Sequence, residues 1–439
     1  MRLLAVVLLF ALAYAKHEKY EGWKSYYVGP ASAEQLKALG PFLDQYSVDV
    51  LSHPIVQREG VVLVAPKHQA GFTKALEDLA IDYKVHAENV KAALDHDDTL
   101  IAAKKARDFM RNGGKNLPYD NYQSLEAIDA YVIDIAARFP DTVTLVHPAN
   151  SFEGRPIYYL KISTTNFQDE RKPVIFIDGG IHAREWVSPP SVTWMIHKLT
   201  EDVTEPDLLE NFDWIILVVL VCSQIIFTFK NETLNGDDCH LQDRFWRKTR
   251  STDSHAWSFL CPGVDGNRNY DFFWGTVGTS ASPCGDTYGG SQAFSEIETR
   301  VVRDLLHEYL HRMALYLTMH SYGSMILYGW GHDGSLSPNA LALHTVGVNM
   351  ATAIDGRKLP NFPNYIVGNA VLVLWYGASG ASEDYAHLIG VPLSYTYELP
   401  GLQGGFEGFH LDPIYIEQVA RETWEGIIVG ARRAGELFR

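Results

Sequence analysis

Residues 174–188 read VIFIDGGIHAREWVS, and this stretch decides the class of fold. VIFID is apolar without a polar alternate, the pattern of a strand buried on both faces. Gly179 and Gly180 stop it, and SVTWMIHKL, a few residues on, reads as a helix. The same alternation recurs outward along the chain. LVHPA, IYYLKIS, WIILVVLV, ALYLTMH and LSYTYEL read as strands, and SEIETRVVRDLLHEYL as a helix. The expected architecture is α/β, a mixed, mostly parallel sheet flanked by helices, in which sites gather at the carboxyl ends of strands. The run from Trp214 to Phe229 is apolar enough to suggest a membrane span. It is bounded by Asp213 and Lys230 and contains Ser, Gln and Thr, so it reads as a buried strand.

Upstream the texture differs. From Tyr20 to about Glu88, strand-like WKSYYV, VDVLS and GVVLVAP alternate with helical SAEQLKALGPFLD and GFTKALEDL, which predicts a small α+β domain. A charged helical segment follows and runs into RNGGKNLP, where Gly113 and Gly114 lie between Arg111 and Lys115. That is an exposed, basic, cleavable joint. Residues 1–15, MRLLAVVLLFALAYA, combine a basic start, a short apolar run and an A-x-A end, the pattern of a secretory signal peptide. The expected organisation is a signal peptide over 1–15, a propeptide over 16–115 and a catalytic domain over 116–439.

The formal net charge of −16 excludes a nucleic-acid binder, whose phosphate contacts need a basic face, and favours cationic ligands. An exported chain meets an oxidising compartment, so Cys222, Cys239, Cys261 and Cys284 are expected in two disulfides. Three pairings are open, of which the sequential one closes two short loops. No C-x-x-C occurs, which speaks against thiolate-held zinc. Asn231-Glu232-Thr233 is an N-glycosylation acceptor.

His182 and Glu185 follow directly on the glycine turn, but H-x-x-E alone is weak, since a chain with 17 His makes about one such match by chance. His320 ends another apolar strand, ALYLTMH. Two imidazoles and a carboxylate at strand ends are the donor set of a catalytic zinc, with a position left for water.

Further motifs run in order: FEGRPIYYLKIS, DGGIHAREWVSP, RFWRKTRS, GVDGNRNYDFFWG, SPCGDTYGG, HSYG, YGASGASEDY and YTYEL. With these the chain after the signal resembles a zinc metallocarboxypeptidase zymogen of the pancreatic carboxypeptidase A/B family, closely from about Leu117 and loosely before it. The resemblance implies one Zn2+ per chain held by His182, Glu185 and His320, with Asp265 orienting His182. It implies Glu398 as general base and Arg247 as oxyanion stabiliser. Arg268, Asn267 and Tyr376 would hold the substrate's C-terminal carboxylate, and Arg184 and Tyr322 the residue further in. Seven positions after Tyr376, Glu383 takes the place that sets specificity, next to Asp384 at a position acidic in both classes. A carboxylate there implies a B-type enzyme that prefers C-terminal Lys, then Arg; an A-type enzyme for apolar termini is the alternative.

The expected partners are peptide or protein C-termini, an activating trypsin-like protease and proteinaceous carboxypeptidase inhibitors, with no nucleic acid and no membrane, for a monomer secreted into the gut lumen. The propeptide is expected to block substrate until it is cut off. A rival reading, a secreted pseudoenzyme or peptide-binding module, requires a lost ligand or base, and none is lost. One departure stands out. Where relatives carry an Asn-Pro-Asp-Gly turn this chain has Cys222-Ser223-Gln224-Ile225 and an insertion before RFWRKTRS.

Overall fold

The computed structural model describes residues 17–56, 58–96, 98–99, 117, 119–220, 244–401, 408–409 and 411–438. The signal stretch, the joint at Arg111 to Lys115, Cys222, Cys239, Asn231 and the segment replacing the usual turn lie outside the described residues. The chain divides into two compact units with their main boundary between Lys115 and Asn116.

The N-terminal unit contains β1 (Lys24–Gly29), α1 (Ala33–Gln45), β2 (Asp49–Ser52), β3 (Gly60–Val64), α2 (Gln69–Asp78) and β4 (Asp82–Ala87). The strands form an antiparallel sheet in the order β2-β3-β1-β4. Alternation along β1 and β3 turns Tyr26, Val28, Val62 and Val64 to one face, where Leu39 of α1 and Phe72 and Leu76 of α2 complete a core. The Ser32 side chain accepts from the Gln35 amide and so fixes where α1 starts. The expected α+β pattern is present. β4 escaped the sequence reading because it is an edge strand, DYKVHA, with no buried alternate to mark it.

The second unit opens with α3 (Leu125–Arg138), β5 (Val143–Asn150), β6 (Pro156–Ile162), β7 (Val174–Gly179), α4 (Ser188–Thr200), α5 (Asp207–Asn211) and β8 (Asp213–Leu217). It continues through α6 (Ile297–Tyr309), β9 (Met313–Ser321), β10 (Met325–Tyr328), α7 (Ala340–Asp355), β11 (Ile366–Asn369), α8 (Ala370–Leu374), α9 (Ser382–Ile389), β12 (Leu393–Leu399) and α10 (Ile416–Leu437). Eight strands form one sheet in the order β11-β10-β12-β9-β7-β8-β6-β5. Its middle, β12, β9, β7 and β8, is parallel, and the flanking pairs β10/β12, β6/β8 and β5/β6 are antiparallel. β7, β8 and β9 are buried along their whole length, as strands covered by helices on both faces must be.

The strand expected from Trp214 to Phe229 is shorter than its apolar run. β8 ends at Leu217, because the next residues leave the ladder and the Leu220 amide donates to the Gly179 carbonyl. Residues beyond 220 lie outside the described set. Cys261 and Cys284 are joined in a disulfide, as the sequential pairing requires, with Cα atoms 4.8 Å apart. Among the described residues no helix is long and apolar enough to cross a membrane.

Candidate active site

The turn between β7 and α4 is built to deliver His182 and Glu185. Gly180 has φ of 65°, a conformation that side chains other than glycine rarely adopt. At Gly179 a Cβ would lie 2.8 Å from a Val192 methyl and 2.9 Å from the Ser188 hydroxyl. The strand therefore reaches α4 without a side chain in between. Ser188 Oγ accepts from the Gly180 amide at 3.0 Å and donates to the Met319 carbonyl at 2.6 Å, tying the turn to β9, which carries His320.

His182, Glu185 and His320 are all buried, and their ligand atoms lie within 4.8 Å of one another. His182 Nδ1 is 2.6 Å from Glu185 Oε1 and 3.1 Å from His320 Nδ1, and His320 Nδ1 is 3.1 Å from Glu185 Oε2. Two ring nitrogens facing each other across a carboxylate supply more lone pairs than protons to fill them, so the cluster fits a cation. Nitrogen and oxygen donors in this number are what zinc takes. Burial, and then the Arg247 charge, hold His182 below its usual range, which keeps the ring in the neutral form that ligates.

Asp265 supports His182 from behind. Its Oδ1 accepts from His182 Nε2 at 2.9 Å, and its Oδ2 accepts from Arg247 Nε at 2.9 Å. Burial alone would raise this carboxyl, but Arg247 and His182 outweigh it and hold it well below the usual range. Arg247 also comes within 3.8 Å of Glu185 Oε1, and its side chain is partly open. Glu398 on β12 stands opposite His320 on β9. Burial, with Glu185 adding, lifts its carboxyl to about 8 against the pull of His320 and Arg247.

A second group surrounds Arg268. The guanidinium is buried, with Nε donating to the Gly278 carbonyl at 2.9 Å and Nη1 to the Asn267 carbonyl at 2.7 Å. The Tyr376 hydroxyl donates to the same Gly278 carbonyl at 3.0 Å. Asn267 Oδ1 accepts from the Ser382 amide at 2.9 Å, which links this segment to the first turn of α9 and to Glu383. Glu383 is 6% exposed, and its Oε2 is buried without a hydrogen-bond partner among the described residues. The adjacent Asp384 differs, because both of its oxygens accept from the Gly331 amide. Arg184 lies over the Phe409 ring at 5.0 Å, and Tyr322 meets the same ring edge-on at 5.1 Å.

Sequence reasoning missed Asp178, Thr318 and Phe409. Asp178 and Thr318 face each other across β7 and β9, and Thr318 Oγ1 donates to Asp178 Oδ1 at 2.8 Å. The Tyr316 hydroxyl donates to Asp178 Oδ2 at 2.5 Å. A signal was available: an acid closing an apolar strand, and a threonine two residues before His320 on the same strand face. Phe409 carried none.

Residues 128–426 match the family model for zinc carboxypeptidase, and residues 26–97 match that for carboxypeptidase activation peptide. The chain is 64% identical to carboxypeptidase B of Helicoverpa zea over 439 residues, covering 100% of each. Carboxypeptidase A from Helicoverpa armigera superposes with a TM-score of 0.86 at 46% identity, over 95% of this chain and 98% of that one. Bovine thrombin-activatable fibrinolysis inhibitor, solved in complex with tick carboxypeptidase inhibitor, gives a TM-score of 0.62 at 30% identity, over 72% of this chain and 99% of that one.

Proposed function

As the chain belongs to the zinc carboxypeptidase family and carries that family's activation peptide, we propose that it is the secreted zymogen of a digestive B-type enzyme that removes C-terminal Lys, and next Arg. The observation that carries this reading is the unpaired buried oxygen of Glu383. A carboxylate with one buried oxygen left unpaired among the described residues is costly when the place is empty and gains when an ammonium or guanidinium reaches it. Asp384 cannot play this part, since the Gly331 amide already occupies both its oxygens. The A-type alternative draws on the Helicoverpa armigera neighbour, which bears that name.

His182, Glu185 and His320 would hold the zinc, which when bound supplies a Lewis acid and a lower pKa for water. The chain's own side chains do the rest. Arg268 and Asn267 grip the C-terminal carboxylate in bidentate fashion, and Tyr376 closes over it. Arg184 and Tyr322 hold the residue before the scissile bond. Arg247, fixed through Nε by Asp265, presents its remaining N–H groups to the carbonyl oxygen as charge develops there. Glu398 takes the proton of the attacking water and returns it to the leaving amine.

The proposed processing removes residues 1–15 as a signal and 16–115 as propeptide, with a trypsin-like protease cutting at the Arg111 to Lys115 joint. Proteinaceous carboxypeptidase inhibitors are proposed partners, by analogy with the bovine relative solved with one. A kcat/KM comparison on peptides ending in Lys, Arg, Phe, Leu and Glu tests the specificity, and a preference for Phe or Leu overturns it.

A further inference from the structure

His182 has an obvious anchor in Asp265, whereas among the described residues no carboxylate is hydrogen-bonded to the outer nitrogen of His320. The outer nitrogen, Nε2, lies 3.3 Å from Thr318 Oγ1. Thr318 and His320 are two apart on β9, so both side chains point to the same face, and Asp178 reaches that face from the opposite register position on β7. The Thr318 proton is already given to Asp178 Oδ1 at 2.8 Å. Its oxygen can then only accept, and the proton in that contact must come from His320 Nε2.

We propose that Thr318 and Asp178 form a hydroxyl-bridged anchor that fixes His320 as the Nε2–H tautomer and presents its Nδ1 lone pair to the metal. The arrangement matches the one at His182, where Asp265 takes Nε2 directly and Nδ1 turns inward. The two Nδ1 atoms accordingly face each other at 3.1 Å. Asp178 is itself held by the Tyr316 hydroxyl, so the anchor is fixed at its far end. Asp178 and Thr318 are positioning residues that act through His320, as outer partners of metal-bound imidazoles do.

The inference rests on the zinc site and is independent of the substrate preference. Full-length chains carrying Thr318→Val, Thr318→Ser and Asp178→Asn are compared with the natural sequence by zinc competition against a chelator, with bound metal counted per chain. Thr318→Val keeps the branched shape and is expected to weaken zinc binding about 10- to 100-fold, whereas Thr318→Ser, which keeps the hydroxyl, stays within about threefold. Asp178→Asn is expected to fall between them, its amide oxygen being a weaker acceptor. Thermal unfolding of the metal-free forms reads folding separately. Natural affinity in Thr318→Val overturns the proposal, and so does an equal loss in Thr318→Ser, which would point to packing. Natural affinity in Asp178→Asn overturns the role of the acid. If the natural chain bound no zinc, the zinc reading itself would fail, a result distinct from all of these.

Discussion

Glu398 stands directly opposite His320, one on β12 and the other on β9, in a parallel pairing that runs from Leu393 to Leu399. Base and ligand are therefore spaced by strand register, and a change at one leaves the other in place. Glu398→Gln is expected to bind zinc and a substrate analogue as before while kcat falls about 100-fold or more, the loss of a general base. Metal content, inhibitor binding and steady-state kinetics on one preparation check it. Near-normal turnover in a folded, zinc-loaded variant removes Glu398 from the mechanism.

Metal removal should act on both activity and stability. Treatment with 1,10-phenanthroline is expected to abolish hydrolysis of a blocked dipeptide, with recovery on adding zinc. Because the ligand cluster is buried at the ends of the central strands β7 and β9, the metal-free protein should also melt earlier. Free zinc at a thousand times its Kd stabilises by about 4 kcal/mol. Activity that survives prolonged chelation sinks the zinc reading.

Much of this was legible in the sequence, for physical reasons. Strands buried on both faces carry uninterrupted apolar runs, so β7, β9 and β12 were found along with the residues at their ends. The zinc donors were legible because His182 and Glu185 follow the glycine turn and His320 ends an apolar strand, and because the further motifs lend weight to an H-x-x-E that is weak alone. What was missed lies where local pattern says little. α10, the longest described helix, follows the last strand and carries none of the motifs that mark the resemblance. β8 was overextended, since apolar character continues after the ladder has ended. The Thr318 contact with Asp178 is a cross-strand pair, and register between strands 140 residues apart is not written in either strand.

The zymogen reading makes a prediction about processing. The intact chain is expected to hydrolyse a protein substrate much more slowly than the same chain after limited trypsin treatment, with the new N-terminus near Asn116. N-terminal sequencing and a time course of activity read this together. Equal rates before and after cleavage defeat it.

Two buried acids far from the catalytic chemistry predict how stability depends on pH. Burial lifts Glu422 on α10 and Glu298 on α6 to about 7 each, from 4.5. Both folded values lie above the unfolded ones, so the stability these groups contribute is fully present below about pH 4.5 and is lost as pH rises through 7. Glu422→Gln keeps an acceptor for the Gln418 amide, which donates to Glu422 Oε2 at 2.9 Å. The variant should gain up to about 3 kcal/mol over the natural chain at pH 8.5 and nearly nothing at pH 4.5. Denaturant unfolding at the two pH values measures the difference, and an equal gain at both would show that the effect is packing.

The last prediction concerns the length of the specificity pocket. Glu383 begins its descent from the first turn of α9, where its own carbonyl is pinned by the Ser394 hydroxyl at 2.7 Å and the neighbouring Asp384 by Gly331. With the Glu383 carbonyl and the Asp384 side chain held, the depth of the site is set by how many methylenes separate the carboxylate from α9. Glutamate brings it one methylene further forward than aspartate, which favours the compact ammonium of Lys over the longer guanidinium of Arg. Glu383→Asp should deepen the pocket and raise the Arg-to-Lys ratio of kcat/KM about tenfold, the size of effect one methylene has in a fitted pocket. Glu383→Ile should cost basic substrates about 2–5 kcal/mol in kcat/KM and improve Phe and Leu, because it removes a buried charge partner. A ratio unmoved by Glu383→Asp, or a Lys preference that survives Glu383→Ile, means that another group reads the substrate side chain.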